Sequence, residues 1–168
     1  MTTNIKLYSF DYAEAKTYLW AVTFVVANMV LPQVFHLLPQ GGIVFAPLSF
    51  VILAGAYKLG WKTGLLAALA SPVVNHLMFG LPAWNVVPVM ALKLVFLALA
   101  AGVTAQYFKR VTLPLLIGVV LTTEALGGLG ELALTGGIAA TVTDFTLGWP
   151  GLLLQVFGTL GVLHLLKK

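Results

Sequence analysis

Six long apolar runs separated by short connections leave this chain few ways to fold. A helix crossing the hydrocarbon core of a bilayer needs about 17–25 predominantly apolar residues. Runs at about 17–38, 43–59, 61–79, 86–108, 111–134 and 145–166 qualify. They are continuously apolar, whereas the strands of a membrane barrel alternate apolar and polar positions, so they read as helices. Charge points the same way. Sixty per cent of the residues are hydrophobic and 8% charged, against about 25% charged in a soluble domain. So few charges cannot cover a water-facing surface. A length of 168 residues fits one domain, and no stretch reads as a linker or a soluble appendage. The expectation is an all-α membrane protein, a single transmembrane domain over residues 1–168, built as a six-transmembrane-helix bundle.

The basic residues set its expected orientation. Lys6 and Lys16 precede the first run, Lys58 and Lys62 flank the junction of the second and third, Lys109 and Arg110 separate the fourth and fifth, and Lys167 and Lys168 end the sequence. The connections 1–2, 3–4 and 5–6 carry no basic residue. Both termini are therefore expected in the cytoplasm, in a multi-pass protein of the cell's cytoplasmic (inner) membrane. A net charge of +4 would raise nucleic acid in a soluble protein. Here the cations are scattered topology markers rather than a groove, so nucleic acid is excluded as a partner and the lipid bilayer is implied.

Local signals refine the helices. The first apolar run is longer than a signal-peptide core and is followed by Pro32 rather than a small-x-small cleavage site, so it reads as a retained helix. Asp11 and Glu14 have capping-box spacing. Pro114 and Pro150 lie near the starts of the fifth and sixth helices, where a missing N–H costs least. Pro72 falls inside the third and is expected to kink it. A tight turn at Leu59–Lys62 joins the second and third helices.

Lys93 is the one basic residue away from the cytoplasmic face. It lies about two turns inside the fourth helix, roughly 10 Å deep. Charges at such depth are expensive and mark function by default. On the fifth helix Glu124 and Glu131 are seven residues apart and share a face. Asn75 and His76 on the third helix and Gln155 on the sixth fall at similar depth, with Trp84 and Asn85 in the 3–4 connection and Trp149 opening the sixth helix. Apolar walls with a few convergent polar and aromatic groups describe a ligand pocket open to the outside. Each group has a plainer role as well. Lys93 can form an interhelical ion pair with a glutamate or snorkel outward on its stem. The tryptophans can belong to an interfacial belt, as Trp20 and Trp61 do at the other end. His76 can serve packing. His36 and His164 read as loop and interface residues, and Asp144 as a solvated or capping residue.

Catalytic signals are missing: no HExxH, no GxSxG and no Walker loop. The chain has no cysteine and no histidine pair with metal-ligand spacing. Neither enzyme activity, nor a metal, nor a resident cofactor is expected. Small residues recur at helical spacing in Ala13-x-x-x-Thr17-x-x-x-Ala21, Gly60 and Gly64, Ala67 and Ser71, and Ala98 and Gly102. Such stripes let helices approach closely.

The stretch from Gly41 to Arg110 resembles the substrate-binding S components of energy-coupling factor (ECF) transporters. The resemblance is carried by Gly41-Gly42-Ile43-Val44-Phe45-Ala46-Pro47, Leu53-Ala54-Gly55, Gly60-Trp61-Lys62-Thr63-Gly64-Leu65-Leu66, Ala70-Ser71-Pro72 with Asn75, and Phe79-Gly80-Leu81-Pro82 followed by Pro88. Elsewhere it rests on length, helix count and orientation. It implies a subunit that captures a vitamin or related micronutrient from outside and delivers it inward with a T component and two ATPase subunits. The family's docking motif on the first helix is Ala-x-x-x-Ala. Ala13, Thr17 and Ala21 form a degraded version of it, which makes that face the expected docking surface.

The substrate is not named by the residues. Lys93 suits a carboxylate or phosphate, the tryptophans a flat heterocycle, and Glu124 or Glu131 a cationic ring or amine. Pairing of Lys93 with a glutamate would favour a zwitterionic or uncharged molecule. The competing function is a stand-alone proton-coupled secondary transporter of a small organic solute, with Glu124 as the proton carrier.

Overall fold

The structure, a computed structural model, describes residues 6–137 and 139–166, without the side chains at 43, 139–141 and 144. Lys167 and Lys168 lie outside the described residues, as does the side chain of Asp144. The elements are helices: α1 (Ala15–His36), α2 (Gly41–Phe45), α3 (Pro47–Leu59), α4 (Trp61–Phe79), α5 (Val87–Phe108), α6 (Leu113–Thr135), α7 (Ala139–Leu147) and α8 (Trp149–Leu165). A π-helical turn, Leu154–Gly158, interrupts α8.

Three of them, α1, α5 and α6, are long and apolar enough to cross a membrane. The chain is accordingly a membrane protein with an all-helical fold. The other three runs yield helices that do not reach that standard by themselves. The run expected at 43–59 is broken at Ala46, which takes a left-handed conformation with φ 42°. Pro47 is the physical cause. It disfavours a right-handed helix at the residue before it and has no N–H to continue one. What remains is α3, 13 residues or about 20 Å long. The sixth run is likewise divided. Gly148 and the Trp149-Pro150 start of α8 separate it from α7, a helix lying mostly in what the sequence presents as a connection. By contrast α4 runs as one helix through Pro72, its bounds those of the third apolar run.

The core is built on α3, α4 and α5, with Ile52, Leu53, Ala56, Tyr57, Ala67, Ala68, Leu94, Leu97, Ala98 and Ala101 buried together. Small residues permit the approach. A methyl group on Gly102 would lie 2.4 Å from the Trp61 backbone nitrogen, and one on Gly64 would lie 2.5 Å from the Ala56 Cβ. The stripe on α1 also faces inward. Thr17 and Ala21 are buried while Ala13 is exposed, and Thr17 donates its hydroxyl to the Asp11 carbonyl. This corrects the docking expectation: Thr17 and Ala21 are inside the bundle and present nothing to a partner. The outward face of α1 is instead made of Leu19, Val22, Val26 and Val30, apolar side chains suited to lipid.

One end of the bundle gathers the basic segments. Gly60, with φ 98°, turns α3 into α4 in a conformation open to glycine. The segment before α1 lies along this turn, the Tyr8 amide donating to the Lys58 carbonyl at 2.9 Å. Lys58 Nζ donates to the Leu166 carbonyl at 3.0 Å, and the Tyr57 hydroxyl donates to the Arg110 carbonyl at 2.9 Å. Glu14 does reach back to the Asp11 amide, at 2.9 Å, but in a turn that precedes the helix rather than in its first turn. Lys62 donates to the Asp11 carboxylate, which with the Ala13 amide holds that carboxyl below its ordinary pKa. This pairing is complete above the ordinary carboxylate range and is lost as pH falls through the lowered value.

Candidate functional site

At the opposite end, the connections after α1, α4 and α7 contribute to the lining of a cavity of about 650 Å³. That volume suits a drug-sized ligand. Its walls are aliphatic, with Leu48 from α3, Val89, Met90, Leu94 and Leu97 from α5, and Leu152 from α8. Polar groups reach it from Gln33 and His36 on α1, Ser49 on α3, Asn75 on α4, Lys93 on α5, Thr123, Glu124 and Glu131 on α6, and Gln155 on α8.

The charged pair sits where α5 meets α6. Lys93 Nζ donates to Glu131 Oε2 at 2.8 Å, with the carboxylate side chain 5% exposed and the lysine side chain 21%. The route of the lysine stem is set by Gly127, one turn before Glu131. A Cβ there would lie 2.8 Å from the Lys93 Cγ, so glycine is what lets the stem lie against α6. Glu124 lines the cavity one turn further along the same face. The pair and the cavity wall therefore share residues, Lys93 both lining the cavity and pairing with Glu131.

Asn75 is tied into the frame. Its side-chain amide donates to the Asn28 carbonyl at 2.9 Å and to the Ser71 carbonyl at 2.9 Å. The Asn28 carbonyl is the acceptor that Pro32, four residues on in α1, leaves without its helical donor. Asn28 in turn donates its side-chain amide to Ser71 Oγ at 2.9 Å. Such replacement by a neighbouring helix is what a proline inside an apolar bundle requires.

Gln155 belongs to the π-helical turn of α8, lines the cavity and is 2% exposed. π-Turns inside α-helices occur frequently at functional sites.

Of the nine side chains expected to bind a ligand, Asn75, Lys93, Glu124, Glu131 and Gln155 line this cavity, and His76, Trp84, Asn85 and Trp149 do not. The tryptophans correct the stacking expectation. Trp84 is 60% exposed and Trp149 58%, and both stand outside the walls, at the rim of the bundle. His76 acts on the loop instead. Its Nδ1–H donates to the Pro82 carbonyl at 2.8 Å, and its ring packs on Trp84 with centroids 5.0 Å apart. It thereby fixes the connection whose Leu81 and Pro82 close one side of the cavity. Asn85 is exposed in that connection. His36, which the sequence presents as a loop or interface residue, lines the cavity at the end of α1. The signal available for it was its place beside Gly41 and Gly42, where a methyl on Gly42 would lie 2.6 Å from the His36 Nε2.

Replacing His76 by alanine is expected to weaken ligand binding about fivefold, the worth of one hydrogen bond. The comparison is of dissociation constants, with circular dichroism checking that helix content holds. An unchanged constant would mean that the loop is fixed without His76.

Among the described residues no three histidine, aspartate or glutamate side chains converge on a position that could hold a metal ion. Comparison of the chain with known protein families, with curated proteins and with solved structures finds no match to any of them.

Proposed function

We propose that this protein is the substrate-capturing subunit of a micronutrient importer, working as the S components of ECF transporters do. The observation that carries the reading is the cavity of about 650 Å³, lined by polar groups from α1, α3, α4, α5, α6 and α8, at the end of the bundle away from the basic segments. By the positive-inside rule those segments are cytoplasmic, so the cavity would face outward. The resemblance over Gly41–Arg110 adds to this, since Gly41, Gly42, Ala46, Pro47, Leu81 and Pro82 of its motifs are cavity-lining residues.

In this reading the bundle crosses the membrane six times. α2 with α3 provides the second span, α4 the third and α8 the sixth, beside α1, α5 and α6, and both termini are in the cytoplasm. A chain without a Walker loop would draw on two partner ATPases and a T component for the energy of release. With Thr17 and Ala21 buried, docking of the T component would use another surface.

Native mass spectrometry of the gently purified protein tests the proposal. A co-purified molecule of vitamin size, bound one to one, is the expected result and would name the substrate. Uptake by the chain in liposomes that needs no ATPase and collapses with an uncoupler would replace the proposal with the proton-coupled transporter.

A further inference from the structure

The cations at the basic end of the bundle are not all alike. Lys62 is paired with the Asp11 carboxylate, and Lys58 donates to the Leu166 carbonyl. Lys109 and Arg110 stand side by side between α5 and α6, both exposed, and no carboxylate among the described residues pairs with either. Their backbone is nonetheless fixed. The Lys109 amide donates to the Ala105 carbonyl at 2.9 Å, the Tyr57 hydroxyl donates to the Arg110 carbonyl at 2.9 Å, and Val111 is fully buried. Lys109 caps α5 in a left-handed conformation, φ 50°. Glycine or asparagine suits that position better, so the turn itself does not explain a lysine there.

The surroundings are those of a membrane surface. Tyr107 is 81% exposed and Phe108 41%, and their rings meet edge to face with centroids 5.0 Å apart. Val103, one turn before Tyr107, is exposed on the same face of α5, and Ile117 and Leu121 are exposed on α6. Apolar faces suited to lipid therefore run up to the turn along both helices. Aromatic rings at the end of such a face sit at headgroup level, which puts the two cations beside lipid phosphate.

We infer that the α5–α6 turn is a binding site for an anionic phospholipid, its phosphodiester held by Lys109 and Arg110 and its acyl chains lying along α5 and α6. A guanidinium meets phosphate through two parallel hydrogen bonds, and an ammonium adds a point charge. A zwitterionic headgroup brings its own cation to the same place, so phosphatidylglycerol is favoured over phosphatidylcholine. The site lies at the other end of the bundle from the cavity, and it stands whether or not the cavity captures a nutrient.

The purified full chain in detergent is titrated with phosphatidylglycerol or phosphatidylcholine, and retained lipid is read by native mass spectrometry. Phosphatidylglycerol is expected to be retained at least about tenfold better. Lys109→Asn with Arg110→Gln should remove most of that preference, asparagine keeping the left-handed cap so that the variant folds. Arg110→Lys, which keeps the charge, should lose less. Lys6→Gln with Lys16→Gln takes two cations from the same end and should leave the preference in place. Inorganic phosphate, having no chains to lie on α5 and α6, should not displace the lipid. An equal loss in the Lys6 and Lys16 variant would mean diffuse charge rather than a site, and displacement by inorganic phosphate would mean a phosphate site without a lipid; either overturns the inference. Equal retention of the two lipids also overturns it, and would leave the turn to an acidic surface of a partner protein.

Discussion

Lys93→Ala is expected to lower the unfolding temperature in detergent by about 6–10 °C and to weaken ligand binding more than about tenfold. The stability loss comes from Glu131. Its carboxylate is 5% exposed and bound to the Lys93 ammonium at 2.8 Å. Removing one partner of a buried pair leaves the other charge in a poor solvent, a change of about 3–5 kcal/mol. The lysine is 21% exposed, so water already shares its charge and the lower end of that range, about 3 kcal/mol, applies. The binding loss has a different origin, the lysine being part of the cavity wall. The double variant Lys93→Met with Glu131→Gln separates the two effects. Neither charge is then stranded, so much of the stability should return. Binding should remain weak, because the wall has changed shape and polarity at both positions. A dissociation constant unaltered in Lys93→Ala would reduce the lysine to a structural partner of Glu131.

That pair also shows where reading the sequence stopped. Glu124 and Glu131 are seven residues apart, two turns on one face, so periodicity could place both toward α5 but could not say which one Lys93 meets. The choice depends on where the lysine stem crosses α6, and that is fixed by the missing side chain of Gly127. Helix bounds were more legible. Gly60 and Gly80 both have positive φ and end the third apolar run at each side, so α4 matches it to the residue. Pro114 and Pro150 fall within the first turns of α6 and α8, where proline is tolerated. The break at Ala46–Pro47 was written in the sequence as a proline five residues into an apolar run, and hydrophobicity alone hid it. Side-chain direction was the least legible property. Thr17 and Ala21 are visible in the sequence as a stripe of small residues and suggest a docking face, but such a stripe does not say which neighbour it packs against, and both are buried. Trp84 and Trp149 lie in or next to connections, where no helical period constrains which way a ring points, and both proved exposed.

Asn75 gives the second large effect, and its partner is a proline. Asn75→Leu is expected to destabilise the protein by about 2–3 kcal/mol, because the Asn28 carbonyl is then buried without a donor. The same substitution in a Pro32→Ala background is expected to cost about 1 kcal/mol less. Alanine at position 32 restores a backbone N–H four residues beyond Asn28, and the helix of α1 can then satisfy its own carbonyl. The coupling would be read from a double-mutant cycle of unfolding free energies. Equal cost of Asn75→Leu in both backgrounds would mean that the bond to the Asn28 carbonyl contributes nothing, and that Asn75 acts through Ser71 or the ligand alone. A positive coupling has a functional consequence. Pro32 and Asn75 both line the cavity, so the bond that repairs the proline break also pins α1 to α4 at the cavity wall. Loosening it should weaken ligand binding in Asn75→Leu, and Pro32→Ala should restore part of the stability without restoring the affinity, since the amide that faces the cavity is still gone.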